Sequence, residues 1–366
     1  MNPSKLNHIK NKIWQPSLIV LPIPERQSSI KHCVDIGVSF DNNYWFSCNL
    51  NLDRTLFPEL TASNGLQPLL AINKPSTHVK TNWFAKNYSK ITRFFGAEDD
   101  DLVPARDAIG ISITAKIFWE NNILKLDFYP NELYSNSKAY CSIQNLRAGK
   151  YRLRFNYLPV AKIFNFNQKS RPIKTTYQNF YLVKPVETNP NAVEIDGIQF
   201  EIVAPESAII PEKELDIETA VAVGMKITNK TQTAFRFDFY STLTPQMIKA
   251  DSQAIRKGFG SHQLRSGTES DYPLAMPGES ITFSPNPKLF WFKEQQLTLK
   301  MDIGCGGFYY FHHLQPGEYL IRFVYSKKNH FLKMRDRNQK TNYIKPLQWL
   351  ERTIVATPYV KLYLSC

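Results

Sequence analysis

Apolar and polar residues alternate with a period of two over short stretches of this chain, and turn residues separate the stretches. The clearest case is Pro316-Gly317 followed by Glu318 to Tyr325. There Tyr319, Ile321, Phe323 and Tyr325 alternate with Leu320, Arg322 and Val324. Pro presets φ at the first corner of a turn and Gly accepts positive φ at the second, so the stretch predicts a tight turn feeding a strand. The same stretch occurs 168 positions earlier (317 against 149), as Ala148-Gly149-Lys150 followed by Tyr151-Arg152-Leu153-Arg154-Phe155-Asn156-Tyr157. Two further pairs share an offset of 187: residues 34–40 with 221–227 (Gly37 with Gly224), and residues 55–60 with 242–247 (Pro58 with Pro245). Each reads as a strand, a polar turn and a second strand containing Pro, which is a hairpin pattern. Lys116-Ile117-Phe118-Trp119 recurs as Lys288-Leu289-Phe290-Trp291, an offset of 172, with 124–126 and 297–299 as the next strand.

The order of signals is thus the same twice, and it predicts a chain built twice from one β-unit. Leu18-Ile19-Val20-Leu21-Pro22 opens the first copy, and residues 200–205 are its expected counterpart. Residues 183–195 and 353–364 are expected to close the copies, aligned through Pro190 and Pro358. The join is placed near Asp196-Gly197. The expected organisation is a polar tail at 1–16, a first β-sandwich at 17–196 and a second at 197–366. The fold class is all-β: two tandem immunoglobulin-like antiparallel β-sandwiches related by internal duplication. Seven or eight short strands per copy with frequent turns is the sequence look of that fold. The first copy is longer between Pro58 and Asp99, and there Trp83, Phe84, Tyr88, Ile91 and Phe95 fall near helical spacing before Gly96. A helical insertion over about 82–95 is expected, either capping the sandwich or docking a partner.

Composition sharpens this picture only in places. The 366 residues are 43% hydrophobic, with 24 Phe and 18 Tyr, so each half has the apolar content to bury a core in strands. The five cysteines, Cys33, Cys48, Cys141, Cys305 and Cys366, are scattered and form no CxxC pair. That argues against a disulfide framework or a zinc site of ordinary spacing, and for reduced thiols and a cytoplasmic setting. The start of the chain does not resemble a secretory signal, and no stretch of about 18 apolar residues occurs. The formal net charge is +13, which bears on encounter with anionic partners rather than on fold. Its cations gather after the two matched strands. The first copy carries Lys162, Lys169, Arg171 and Lys174 among aromatic residues, and the second carries Lys327, Lys328, Lys333, Arg335, Arg337 and Lys340. Lys and Arg beside rings can track a phosphate backbone and stack on bases, or meet an acidic protein.

Catalytic patterns are missing. Gly304-Cys305-Gly306-Gly307 lacks the Lys-Ser/Thr ending of a phosphate loop and reads as a hairpin turn. His312 and His313 are adjacent, so on a strand they point to opposite faces and do not chelate together. Asp99-Asp100-Asp101 reads as a solvated loop. No catalytic residue, metal or cofactor is expected.

Four elements of the second copy carry a family resemblance. They are Ile227-Thr228-Asn229 before a hairpin, Phe235-Arg236-Phe237 on its return, Pro277-Gly278-Glu279, and Pro316-Gly317-Glu318-Tyr319. Together they resemble the Ig-like domain of the intracellular proteinase inhibitor family of bacilli, and the doubled arrangement resembles uncharacterised cyanobacterial proteins. The resemblance implies an intracellular β-sandwich acting through surfaces and loops. The expected function is a non-enzymatic protein-interaction or scaffold module. Polyanion or nucleic-acid binding through the basic loops and proteinase inhibition by an exposed loop are the alternatives.

Overall fold

The structure is a computed structural model of the whole chain. It describes residues 18–26, 30–41, 48–49, 56–62, 70–71, 102–103, 108–130, 141–157, 173–214, 217–240, 242–250, 253, 255, 257–261, 267–293, 295–326, 334–335, 341–342 and 353–365. The described chain is all-β, and no α-helix occurs among those residues. The expected helix over 82–95, with Trp83, Phe84, Tyr88, Ile91 and Phe95, lies outside them. No helix among the described residues is long and apolar enough to cross a membrane.

The chain divides into two compact units, one of residues 1–15 and 33–180, the other of residues 16–32 and 181–366. In the first unit the strand Gly149–Tyr157 lies between Leu56–Ala62 and Ile173–Lys174, antiparallel to both. A second sheet follows the order His32–Asp41, Ala108–Glu120, Ile123–Pro130, Cys141–Ile143 and Leu70–Ala71. Buried Ile117, Leu126, Phe128, Ile143, Leu153 and Phe155 form its core, with Phe128 and Phe155 edge to face at 6.2 Å.

In the second unit Gly317–Ser326 is the central strand. Leu243–Lys249 pairs with it along one side, and Thr353–Ala356 and Val360–Ser365 share the other. Leu18–Pro22 runs parallel to Thr353–Ala356, and Ser207–Ile209 parallel to Val360–Ser365. A second sheet has the order Glu218–Ala220, Lys288–Phe292, Gln296–Asp302, Gly307–Phe311 and Lys257–Ser261. A third joins Ala192–Ile195, Ile198–Val203, Gly224–Asn229 and Ser280–Phe283. Phe200, Phe237, Phe311, Phe323 and Tyr325 anchor one contiguous apolar core.

The ladders of the two units keep the same register. Leu60 faces Leu153 as Met247 faces Ile321, offsets of 187 and 168. Cys48 faces Val103 as Phe235 faces Ala275. Leu70 faces Ile143 as Lys257 faces Phe311. The offset of 187 therefore runs on to residue 71, and 172 has replaced it by residue 102, so the extra length of the first unit falls between those positions.

Both units also place a tyrosine at the same corner. The Tyr151 hydroxyl donates to the Arg147 carbonyl at 2.9 Å and accepts from the Arg147 amide at 3.1 Å. Tyr319 does the same with Gln315, at 2.9 and 2.8 Å.

The ends of the units differ from expectation. Leu18–Pro22 corresponds to Ser207–Ile209 rather than to 200–205, because Ile23 donates to the Val183 carbonyl as Ile210 donates to that of Ser365. The strand expected at 183–195 is instead Gln178–Val183, which lines up with Val360–Ser365 at an offset of 182. Thr175 and Thr357 fix this alignment. Each donates its amide to the facing Phe carbonyl, and its hydroxyl accepts from that Phe amide, at 2.8 Å from Phe155 and 3.1 Å from Phe323. Asp196-Gly197 is a two-residue hairpin turn inside the second unit, with φ of 48° and 79° at its two positions. Two successive positive φ values are the type I′ geometry that matches strand twist. Short apolar strands next to Pro look alike in sequence, and only hydrogen bonding distinguishes which one aligns with which.

Candidate functional site

Few of the residues singled out from sequence are described. Lys162, Lys169 and Arg171 lie outside the described residues, as do Lys327, Lys328, Lys333, Arg337 and Lys340. Lys174 ends the short strand paired with Gly149–Tyr157, and Arg335 sits in a two-residue strand paired with Thr341–Asn342. The Gly304–Gly307 run is a turn: Gly306, at φ 86°, donates to Ile303, and Ile303 donates to Gly307.

The described surface with the most developed chemistry is the outer face of the second unit's Lys288-to-Ser261 sheet. Leu289, Leu297, Leu299, Met301 and Phe311 point into the core. Alternation then turns Lys288, Phe290, Phe292, Thr298, Lys300, Asp302, Phe308, Tyr310 and His312 to the other face. Four rings form a row there. Phe308 and Tyr310 are 6.1 Å apart, Tyr310 and His312 4.4 Å, and His312 and Phe292 5.5 Å. Successive ring planes are tilted by 39 to 46°.

The edge strand makes room for the row. Gly258 faces Tyr310 and Gly260 faces Phe308 across the ladder. A Cβ on Gly258 would lie 2.0 Å from the Tyr310 ring, and one on Gly260 2.5 Å from the Phe308 ring. Each ring therefore lies across a glycine backbone, a close approach that a side chain would block. His312 is held by Thr298, with Nδ1 2.8 Å from the hydroxyl. Burial first, and then the neighbouring His313, pull its pKa below the ordinary 6.5. Lys300 lies over Phe308 at 4.6 Å and Lys293 over Phe292 at 5.5 Å. Two carboxylates balance the lysines: Asp302 is 3.7 Å from Lys300 and Glu218 is 2.5 Å from Lys288. Phe292 is 40% exposed, and Phe308, Tyr310 and His312 are half-buried.

Among the described residues, the matching strands of the first unit carry no such row. Ser142 faces Asp127 where Tyr310 faces Lys300. Glu120 stands where Phe292 does and forms an ion pair with Lys125, which stands in the place of Thr298. Ser142 and Asp127 are buried.

A second polar cluster lies inside the second unit. Arg322 is fully buried, its Nε 2.8 Å from the Gln246 Oε1 and its guanidinium 4.5 Å from the Tyr359 ring centre. His32 meets the same ring edge-on at 5.3 Å and donates Nδ1–H to the Pro22 carbonyl at 2.9 Å. Burial, and then Arg322, pull the His32 pKa from 6.5 to about 3, against the opposing pull of the Pro22 carbonyl. In the first unit the corresponding residues are nearer solvent. Arg154 forks onto Glu59, Asn156 and Tyr177 also donate to Glu59, and Arg154 lies over Tyr177 at 4.3 Å. The period-two alternation over 319–325 is that of a strand. In the structure every residue from Tyr319 to Tyr325 is buried.

No reactive constellation arises from these groups. Cys141 is buried and its thiol pKa is pushed up to about 12, which leaves it protonated and unreactive at neutral pH. No group of three metal-ligating side chains occurs among the described residues. No protein-family model, curated protein or solved structure matches this chain. The ring row was not found from sequence. The available signal was Lys-Gly-Phe-Gly-Ser at 257–261, glycines alternating in a strand, which gains meaning only once Tyr310 and Phe308 are known to face them.

Proposed function

We propose that the protein is a non-enzymatic binding module made of two immunoglobulin-like sandwiches produced by internal duplication, with the aromatic face of the second as its binding surface. The common registers and the paired tyrosine corners support duplication. A tyrosine corner of this kind recurs in immunoglobulin-like sandwiches. A protein partner at the basic loops remains a reading from sequence alone.

One observation carries the choice of surface. At three of the four ring positions the first unit has other residues, Glu120 for Phe292, Ser142 for Tyr310 and Gln144 for His312, while Tyr140, the counterpart of Phe308, lies outside the described residues. The ladders therefore form without rings at those three positions, and the cost of an exposed Phe292 and of two glycines in a strand is repaid by a ligand.

The test is an array of immobilised glycans, single-stranded oligonucleotides and peptides, probed with the intact protein and with Phe292→Ala and Tyr310→Ala. At least one class should be held by the wild type and lost by both variants. Identical retention by all three proteins refutes the assignment of the surface.

A further inference from the structure

We infer that the ring row is a platform for a neutral polysaccharide, bound along the row with sugar faces packed on the rings. This rests on the reading of that face as a binding surface. The rings and the charges each bear on the choice. Exposed Phe292 and the half-buried rings beside it give a flat, partly apolar repeating unit a place to stack, and both nucleobases and pyranose rings qualify.

Charge separates the two. Binding a nucleic acid strand depends on lysines and arginines that neutralise phosphates. On this face Glu218 lies against Lys288 and Asp302 against Lys300, so two of its three lysines are already neutralised, Lys293 over Phe292 being the third. A phosphate brought to those lysines also meets the carboxylates, which repel it.

A sugar hydroxyl meets no such penalty. It donates to a carboxylate and accepts from an ammonium, and Glu218–Lys288 and Asp302–Lys300 offer both within one ion pair. Asn286, which donates to Asp302 at 3.3 Å, adds a further amide to the same rim. Rings along the middle with balanced donors and acceptors beside them suit a neutral, hydroxyl-rich chain better than a polyanion.

The experiment is affinity electrophoresis of the intact protein in native gels run towards the cathode. The gels contain hydroxyethylcellulose, mannan, β-1,3-glucan or glycogen, and binding of a labelled 15-mer oligothymidine is followed in parallel by anisotropy. The expected result is retardation by at least one polysaccharide that persists at about 0.5 M salt, where surface electrostatics are screened. Tyr310→Ala and Phe292→Ala should each weaken it by about tenfold or more. Phe292 is exposed, so its variant keeps the test valid if Tyr310→Ala does not fold. Absence of retardation in every gel overturns the proposal. Ring-dependent, salt-sensitive binding of the oligothymidine without retardation overturns the glycan while leaving the surface in place. Retardation that both variants retain overturns the glycan platform and the surface together.

Discussion

His32 makes a pH prediction whose size follows from its surroundings. The ring is 4% exposed, touches Tyr359 and shares its environment with the Arg322 guanidinium. Its pKa of about 3 in the folded chain stands against 6.5 when unfolded. The folded state therefore holds the neutral ring, and between those values the unfolded chain binds one more proton. Stability from this group is complete above pH 6.5 and is lost as pH falls from 6.5 towards 3, at up to about 1.4 kcal/mol per pH unit. By pH 5 the unfolded ring is almost wholly protonated and the folded one is not, so the loss is about 2 kcal/mol. That figure is set by the unfolded pKa and barely depends on the folded one.

The perturbation is His32→Asn, whose amide nitrogen can still donate to the Pro22 carbonyl. Wild type and variant are unfolded in urea at intervals from pH 7.5 to 4.5. The variant loses the contact with Tyr359, which lowers its stability by an amount that does not change with pH. The wild-type advantage should shrink by about 2 kcal/mol between pH 7.5 and 5. The chain has seven histidines, and the other six cancel in the subtraction. A difference that stays flat across the range, or grows as pH falls, refutes the argument.

Other perturbations test separate links. Tyr319→Phe removes both corner hydrogen bonds to Gln315 and should cost about 1–3 kcal/mol in the unfolding free energy; a loss near zero would show that the corner does not support the strand. Glu59→Gln should cost about 1 kcal/mol at pH 7 by calorimetry. Burial alone would raise the Glu59 pKa, but hydrogen bonds from Asn156, Arg154 and Tyr177 hold it below 4.5. Its stabilisation is thus present above 4.5 and lost as pH falls through the lower folded value, so variant and wild type should converge in acid. Gly258→Ala places a Cβ against the Tyr310 ring and should change the near-ultraviolet circular dichroism and weaken ligand binding while the core survives; an unchanged spectrum would mean the ring does not lie there. Thr357→Val removes the hydroxyl that accepts from the Phe323 amide and should cost about 1–3 kcal/mol in urea melts, since that buried donor is left unmet.

The sequence alone determined the strand-rich character and the repeated order of elements. Period-two alternation and turn residues are local properties, and a recurrence such as Phe155 with Phe323 or Pro58 with Pro245 needs no coordinates to be seen. The tertiary structure alone decided which of several similar apolar stretches pairs with which. Leu18–Pro22 is interchangeable in pattern with 200–205, yet hydrogen bonding matches it to Ser207–Ile209. Tertiary context also buried Arg322 beneath Tyr359 and His32, residues distant along the chain that local alternation could not bring together. The ring row has the same origin. Gly258 and Tyr310 are 52 positions apart, and the flat space one offers the other exists only once their strands are paired.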